Sequence, residues 1–150
     1  MKKKIAMALG ADHRGYHLKE YIKKRFMSDF YDIEWCDKGA YNDERSDYPE
    51  FAQAAVHELL NNNAHGALLL CGTGVGMAIT ANRFSRIFAS VAWNEEIARL
   101  SKEDDNVNVL VMPADYVGND EALCIVGSWL HASFKHDRYE KRIAMINALK

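Results

Sequence analysis

Short apolar runs alternate with amphipathic stretches along the chain. Five apolar runs have strand-like lengths and lie at residues 5–9, 33–36, 67–71, 87–93 and 107–112. Between or after them, apolar residues recur at helical spacing, as do Leu18, Tyr21, Ile22 and Phe26. Regular alternation of strands and helices implies right-handed βαβ crossovers. The pattern therefore predicts an α/β fold, a Rossmann-like doubly wound three-layer sandwich with a parallel sheet of about five strands.

The third apolar run is the best candidate for a central strand. Residues 67–71 are uninterrupted by polar side chains, as expected of a parallel strand that is covered on both faces. In a doubly wound sheet, ligands bind outside the carboxyl ends of the strands, where the strand order reverses. The loops at residues 10–14, 38–48 and 71–76 should therefore surround one crevice.

Composition limits the kinds of partner. The chain has 150 residues, 49% of them hydrophobic, which suits one domain over residues 1–150. A formal charge of −2 provides no basic field for nucleic acid or an anionic membrane surface. Three cysteines without paired spacing, and no export signal, favour reduced thiols and a cytoplasmic location. His13 and His17 lie on either side of a predicted loop-to-helix junction, so their spacing does not indicate a metal site. We expect no metal and no other cofactor.

The most distinctive loop follows the third apolar run and reads Cys71-Gly72-Thr73-Gly74-Val75-Gly76. Its backbone N–H groups should point into the crevice and form a nest for an oxyanion. The same groups would stabilise the thiolate of Cys71, which could then act as a base. The alternative is a structural thiol, because a lone cysteine at the end of an apolar strand more often serves packing. The spacing lacks the third glycine of the dinucleotide fingerprint, so a nucleotide cofactor is disfavoured.

Two further groups of charged side chains could contact a ligand in the crevice. Asp12, His13 and Arg14 follow the first strand, where an Asp-His pair could exchange protons with a ring oxygen or bind phosphate. A helix-capping aspartate beside a solvated histidine is the alternative. Arg138 and Arg142 lie four residues apart on one face of the last helix and could clamp a phosphate. Taken alone, they are more often part of a solvated face.

Together these segments resemble the type B ribose-5-phosphate isomerase family, which also includes galactose-6-phosphate isomerase subunits and isomerases of allose 6-phosphate. The resemblance covers essentially the whole chain. The matching segments are Asp12-His13-Arg14-Gly15-Tyr16, Asp37-Lys38-Gly39, Asp47-Tyr48-Pro49, Cys71-Gly72-Thr73-Gly74-Val75-Gly76, Ala81-Asn82-Arg83, Asn108-Val109-Leu110 and Arg138 with Arg142.

The resemblance implies a metal-independent aldose-ketose isomerase of sugar phosphates. It implies that Cys71 moves a proton between C1 and C2, that Thr73 and the loop amides hold the enediolate oxygens, and that Asp12 handles the ring or hydroxyls. A homodimer or homotetramer is expected, with sites built across the interface and the C-terminal helix packed on a neighbouring subunit. The residues expected to bind substrate or phosphate are His13, Arg14, Tyr48, Gly72, Gly74, Val75, Gly76, Asn82, Asp105, Arg138 and Arg142.

The chain departs from the family pattern at four positions. Asp104 and Asp105 stand where the family commonly has a ring-opening histidine and an asparagine, so Asp104 is the candidate acid or base. Asp115 replaces an arginine that often contacts phosphate, and Tyr139 replaces a histidine. Ribose 5-phosphate is the family's default substrate, whereas these changes point to a shifted one, such as allose or galactose 6-phosphate. A non-catalytic partner subunit is the remaining alternative.

Overall fold

The sheet of this protein is parallel and has five strands. The computed structural model describes residues 1–149. The strands are β1 (Lys3–Ala11), β2 (Tyr31–Asp37), β3 (Gly66–Cys71), β4 (Ala89–Val91) and β5 (Val109–Pro113). Their order across the sheet is β2-β1-β3-β5-β4, and every neighbouring pair is parallel. The predicted doubly wound α/β fold is therefore confirmed.

Helices cover both faces of the sheet. They are α1 (Tyr16–Arg25), α2 (Tyr48–Leu60), α3 (Val75–Ala81), α4 (Glu95–Asp105), α5 (Asn119–His131) and α6 (Arg138–Asn147). Apolar side chains of α1, α4 and α5 pack on one face, and those of α2 and α3 pack on the other. By contrast, α6 has no buried residue, and its main contacts are with α4. No helix within residues 1–149 is both long enough and apolar enough to span a bilayer.

The position of β3 explains both its sequence and the place of the crevice. All six of its residues are buried between β1 and β5, which accounts for the unbroken apolar run. The chain continues from β1 to β2 on one side and from β3 towards β5 on the other, so the order reverses between β1 and β3. The carboxyl ends of these two strands, Ala11 and Cys71, therefore flank the predicted ligand-binding crevice.

Candidate active site

An open cleft of about 330 Å³ lies at the carboxyl ends of β1 and β3. It contains a thiol, a carboxylate, a guanidinium, a phenol and a hydroxyl. The lining residues are Asp12, Arg14, Tyr48, Cys71, Gly72, Thr73, Val75, Gly76 and Ile79. All but Ile79 were predicted from the sequence, and three separate loops bring them together.

Cys71 is the last residue of β3 and borders both the core and the cleft. Its exposed fraction is only 4%, and it belongs to the apolar cluster beneath α2 and α3. Cys71 nevertheless belongs to the lining of the cleft, and its Sγ accepts a hydrogen bond from the Gly74 N–H over 3.2 Å. Gly74 has a left-handed backbone (φ 76°), which favours glycine at that position. The sulfur therefore lies against the loop that borders the cleft and meets a donor that favours negative charge.

Two glycines of the same loop make room for side chains from elsewhere in the chain. A Cβ atom at Gly72 would overlap the guanidinium of Arg14, and one at Gly76 would overlap the ring of Tyr48. Tyr48 begins α2, so the turn-rich segment before that helix brings its ring onto the loop. Bare backbone at both positions lets Arg14 and Tyr48 form opposite parts of the cleft wall.

Asp12 holds the turn before α1 and also lines the cleft. Its Oδ1 accepts hydrogen bonds from the N–H groups of Arg14, at 2.9 Å, and Gly15, at 3.1 Å. Its own N–H donates to the Leu70 carbonyl, which ties the loop to β3. The capping interpretation of this aspartate is wrong, because the N-cap of α1 is Gly15 and no side chain caps the helix. Because only Oδ1 takes part in these bonds, Oδ2 is available to a substrate hydroxyl.

His13 contacts the turn-rich segment before α2. The Ser46 N–H donates to His13 Nδ1 over 3.2 Å, and the His13 N–H donates to Ser46 Oγ over 3.0 Å. A neutral His13 must therefore carry its proton on Nε2, since Nδ1 acts as an acceptor. His13 lies beside the cleft residues in sequence but is not part of the lining itself.

Arg14 forms an ion pair with Asp115, which lies just beyond β5. The Asp115 N–H donates to the Gly72 carbonyl over 3.1 Å, and the Ala114 N–H donates to the Cys71 carbonyl over 2.9 Å. These two bonds fasten the loop after β5 to the loop of Cys71. The charge at one end of the cleft is therefore set by two residues that are far apart in sequence.

Asn82 lies outside the cleft. Both polar groups of its side chain bond the backbone of Ala89: Nδ2 donates to the carbonyl and Oδ1 accepts from the N–H, each over 2.8 Å. This pairing links the end of α3 to the start of β4 and explains why the helix ends at Ala81. These two bonds give Asn82 a structural role within one chain.

The remaining predicted residues lie on α4 and α6. Because α4 returns the chain to the amino end of β5, this part of the molecule lies away from the cleft. We name as the α4–α6 cluster the residues Asp104, Lys135, Arg138, Tyr139 and Arg142. Asp105 is exposed next to this cluster. Within a single chain, the predicted catalytic Asp104 and the two arginines therefore lie away from Cys71.

Ion pairs and ring contacts connect the members of the α4–α6 cluster. Lys135 Nζ lies 2.9 Å from Asp104 Oδ1, and hydrogen bonds to Asp104 and Glu103 raise the pKa of Lys135. The guanidinium carbons of Arg138 and Arg142 lie 5.0 Å and 5.5 Å from the centre of the Tyr139 ring. The two arginines thus share one face, as their spacing predicted.

Two other features of the surface bear on ligand binding. A larger cavity, of about 650 Å³, lies between the segment after α3 and the end of α6, but none of its lining residues is a thiol or a carboxylate. Within residues 1–149, no group of three or more His, Cys, Asp or Glu side chains is placed to hold a metal ion. The smaller cleft at Cys71 is therefore the better candidate for proton-transfer chemistry.

Sequence reasoning missed three contributors to the site. Ile79, with an exposed fraction of 62%, lies one turn after Val75 on α3, a spacing that could have identified it as part of the cleft. Ser46 fixes the His13 ring, and its place before the Asp-Tyr-Pro segment was the only available signal. Asp115 was noted as a departure from the family, yet nothing in the sequence indicated its pairing with Arg14.

Known proteins with similar sequences are sugar-phosphate isomerases. The model of the family described as Ribose/Galactose Isomerase matches residues 7–146. Ribose-5-phosphate isomerase B of Escherichia coli strain K12 is 36% identical over 144 residues, which cover 96% of this chain and 95% of that protein. Probable ribose-5-phosphate isomerase B of Mycoplasma genitalium is 32% identical over 140 residues, which cover 92% of this chain and 91% of that protein.

Solved structures of similar proteins have the same fold. A ribose 5-phosphate isomerase from Thermotoga maritima superimposes with a TM-score of 0.90 at 36% identity, covering 97% of this chain and 99% of that one. Ribose-5-phosphate isomerase B from Mycoplasma genitalium with bound ribulose-5-phosphate gives a TM-score of 0.86 at 30% identity, covering 98% and 96%. The resemblance inferred from the sequence motifs is therefore confirmed along nearly the whole chain.

Proposed function

Because this chain belongs to the ribose/galactose isomerase family and is an aldose-ketose isomerase of sugar phosphates, we propose that it interconverts ribose 5-phosphate and ribulose 5-phosphate. The observation that carries the proposal is that Cys71 lines the cleft and that its Sγ accepts a hydrogen bond from the Gly74 N–H over 3.2 Å. Two of the relatives reported above are named ribose-5-phosphate isomerase B and probable ribose-5-phosphate isomerase B. These names support the choice of substrate.

Proton transfer through an enediolate accounts for the residues in the cleft. The thiolate of Cys71 takes the proton from C2 of the open-chain aldose, and the C–H electron pair forms the C1=C2 double bond as charge moves onto O1. Cys71 returns the proton to C1, and the O2–H proton passes to O1, which leaves the ketose. Bases of this kind typically accelerate such a step by about 10²- to 10⁴-fold.

Thr73 and Asp12 are suited to the oxygens of the intermediate. Thr73 is exposed at the cleft, where its hydroxyl can donate to a charged enediolate oxygen. Its Oγ1 accepts from the Val75 N–H over 3.3 Å, which orients the hydroxyl. The free Oδ2 of Asp12 can accept a proton from a substrate hydroxyl. These donors and acceptors are held by backbone bonds before substrate arrives, which is the arrangement that favours an anionic intermediate.

A second copy of the chain would complete the site. One chain keeps Asp104, Arg138 and Arg142 away from the cleft, although a phosphate needs cations and ring opening needs an acid or base. Met145 of the last helix, with an exposed fraction of 63%, and Leu149 just after it, with 78%, are presented to solvent. We infer a homodimer in which α6 packs on the neighbouring chain and brings the α4–α6 cluster to that chain's cleft.

A hexose 6-phosphate is the second candidate substrate. Two carboxylates, Asp104 and Asp115, occupy positions where the family pattern has a histidine and an arginine. Carboxylates accept hydrogen bonds from sugar hydroxyls and repel phosphate, so they would suit a longer sugar with an additional hydroxyl group.

A panel assay tests both candidates. The purified full chain is incubated in deuterated water with ribose 5-phosphate, allose 6-phosphate or galactose 6-phosphate, and proton NMR follows deuterium entry at C2 of the aldose and C1 of the ketose. We expect the highest kcat/KM for ribose 5-phosphate. A clear preference for either hexose would reject the pentose assignment, and the absence of exchange with all three would favour a non-catalytic partner subunit.

A further inference from the structure

Arg14 is the cation that lines the active-site cleft. Among the described lining residues it alone has a positive side chain, whereas Asp12 has a negative one. The Arg14 N–H donates to Asp12 Oδ1 over 2.9 Å, which fixes the backbone that carries the guanidinium. The guanidinium itself lies over Gly72, so a substrate resting on the loop would meet it directly.

Asp115 occupies one side of this cation. Its carboxylate accepts a hydrogen bond from Arg14 Nη2. Backbone bonds from Asp115 and Ala114 to the loop of Cys71 keep the carboxylate at the cleft. The exposed fractions of the two side chains are 52% for Arg14 and 33% for Asp115. An ion pair with this much solvent contact adds little to the stability of a fold, so its main effect is on the local field.

The charges at this end of the cleft do not suit a phosphate. Two carboxylates, Asp12 and Asp115, accompany one guanidinium, so the net charge of the three groups is negative. A phosphate dianion placed here would be repelled more than attracted. A sugar hydroxyl has different needs, because it both donates and accepts. The remaining N–H groups of Arg14 can donate to the hydroxyl oxygen, and a carboxylate can accept its proton.

We infer that Asp115 is a specificity-determining residue, which converts Arg14 from a phosphate anchor into a binding group for sugar hydroxyls. This inference rests on the proposed function for the identity of the sugar phosphate. It assigns the carbon chain of the substrate to the Arg14 end of the cleft.

Inorganic phosphate is the probe that separates the two roles of Arg14. Calorimetric titration of phosphate into the full chain is performed with the wild type, Asp115→Asn, Arg14→Gln and the double variant. We expect Asp115→Asn to bind phosphate roughly five- to tenfold more tightly, because a like charge beside the anion is removed. Arg14→Gln alone should leave phosphate affinity unchanged, while the double variant should lose the gain made by Asp115→Asn.

Asp29→Asn is the matched control for charge. Asp29 is an exposed carboxylate before β2, at the amino end of the sheet, so its removal changes the net charge by the same amount far from the cleft. Equal phosphate affinities of Asp115→Asn and Asp29→Asn would overturn the inference, as would a large loss of phosphate affinity in Arg14→Gln. Asp115→Ser serves as a second variant if thermal melting shows that Asp115→Asn is unfolded.

The KM for the sugar phosphate provides a second readout. A purely structural role of Asp115 would not raise this KM while the affinity for inorganic phosphate increases. If Asp115 accepts a hydroxyl proton, Asp115→Asn should raise KM for the sugar phosphate by roughly tenfold while phosphate binds more tightly. A KM that falls together with the phosphate dissociation constant would contradict hydroxyl binding. The calorimetric result needs no turnover, so it decides the role of Asp115 even if the panel assay finds another activity or none.

Discussion

The backbone N–H of Gly74 donates a hydrogen bond to the Sγ of Cys71 over 3.2 Å. The bond connects the fourth and first residues of the loop 71–76, and Gly74 itself has a left-handed backbone, with φ at 76°. The N–H is a donor placed at the sulfur, and a donor interacts more strongly with an anion than with a neutral group. The loop that ends β3 therefore holds a base ready for proton transfer.

Replacing the thiol should abolish proton transfer and preserve the fold. We expect Cys71→Ala to lower kcat by about 10²- to 10⁴-fold, because a general base is lost. Deuterium exchange at C2 measures the loss directly, and thermal melting reports whether the fold survives. Cys71→Ser keeps the shape of the side chain but offers a far weaker base, so it should be nearly as inactive. Wild-type exchange rates in either variant would exclude Cys71 as the base.

Gly76 should be required for catalysis and dispensable for stability. A Cβ at this position would overlap the Tyr48 ring, so Gly76→Ala should push the ring into the cleft and lower kcat/KM by about tenfold. Because alanine is a better helix former than glycine, the melting temperature of this α3 variant should not fall. Steady-state kinetics and thermal melting test both statements.

Gly118→Ala is the matched control for Gly76→Ala. Gly118 precedes α5, and a Cβ there would meet no atom within 4 Å. We expect wild-type kinetics for this variant. In a Tyr48→Ala background, Gly76→Ala should have no further effect, since the ring that it displaces is already gone. An additive loss in the double variant would show that Gly76 acts through something other than Tyr48.

The fold and the Cys71 loop were predictable because their signals are local. The unbroken apolar run of β3 follows from burial on both faces, and the glycines after Cys71 mark a turn that approaches a ligand. The order of strands then places Asp12 beside Cys71 without any knowledge of side-chain contacts.

Contacts between distant residues were not predictable. Arg14 and Asp115 are 101 residues apart, and only the packing of two loops on Gly72 brings them together. The hydrogen bonds between the Asn82 amide and the Ala89 backbone were likewise not evident from the motif, which predicts Asn82 as a pocket residue. The expectation that Arg142 acts at a neighbouring chain's cleft came from the resemblance, because no local signal in the sequence shows to which cleft it belongs.

Mixed dimers test whether the site spans two chains. Cys71→Ala inactivates the cleft, whereas Arg138→Ala combined with Arg142→Ala should mainly raise KM through lost phosphate binding. If each site takes its cleft from one chain and its arginines from the other, a hybrid dimer contains one intact site. Co-expression of the two variants should then restore about a quarter of wild-type activity, because half of randomly formed dimers are hybrids with one working site of two.

Cys71→Ala mixed with Thr73→Ala is the control for the hybrid experiment. Both changes lie in the same loop, so every cleft of every mixed dimer contains one of them and no activity should return. Restored activity in this pair would point to residual function of the single variants. No recovery in the first pair would place the arginines either outside the site or in the same chain's cleft.

Lys19 and Asp37 form a buried ion pair beneath the site loops. The side chain of Lys19 is completely buried, and its Nζ lies 2.8 Å from Asp37 Oδ1. Desolvation is the largest single influence on Asp37 and opposes its ionisation, but hydrogen bonds from Lys19, Lys23 and the Gly39 N–H together lower the pKa of Asp37. A carboxyl whose pKa is lower in the folded state stabilises the fold above its unfolded pKa, which is about 3.9.

Acid should therefore remove this stabilisation as the pH falls below about 4 and through the lower folded pKa of Asp37. Urea unfolding from about pH 3 to 7 measures the effect. Asp37→Asn should cost about 2 kcal/mol near neutral pH, because the buried Lys19 ammonium keeps only Glu20, whose Oε1 lies 3.1 Å from Nζ, as a charged partner. The same variant should also weaken the loss of stability at acid pH. Asp43→Asn, which removes an exposed carboxylate paired with His17, should leave the free energy of unfolding and its pH dependence unchanged. Lys19→Met combined with Asp37→Asn should recover part of the loss, and an equal loss in the double variant would show that the weakened pairing of the Lys19 ammonium is not its cause.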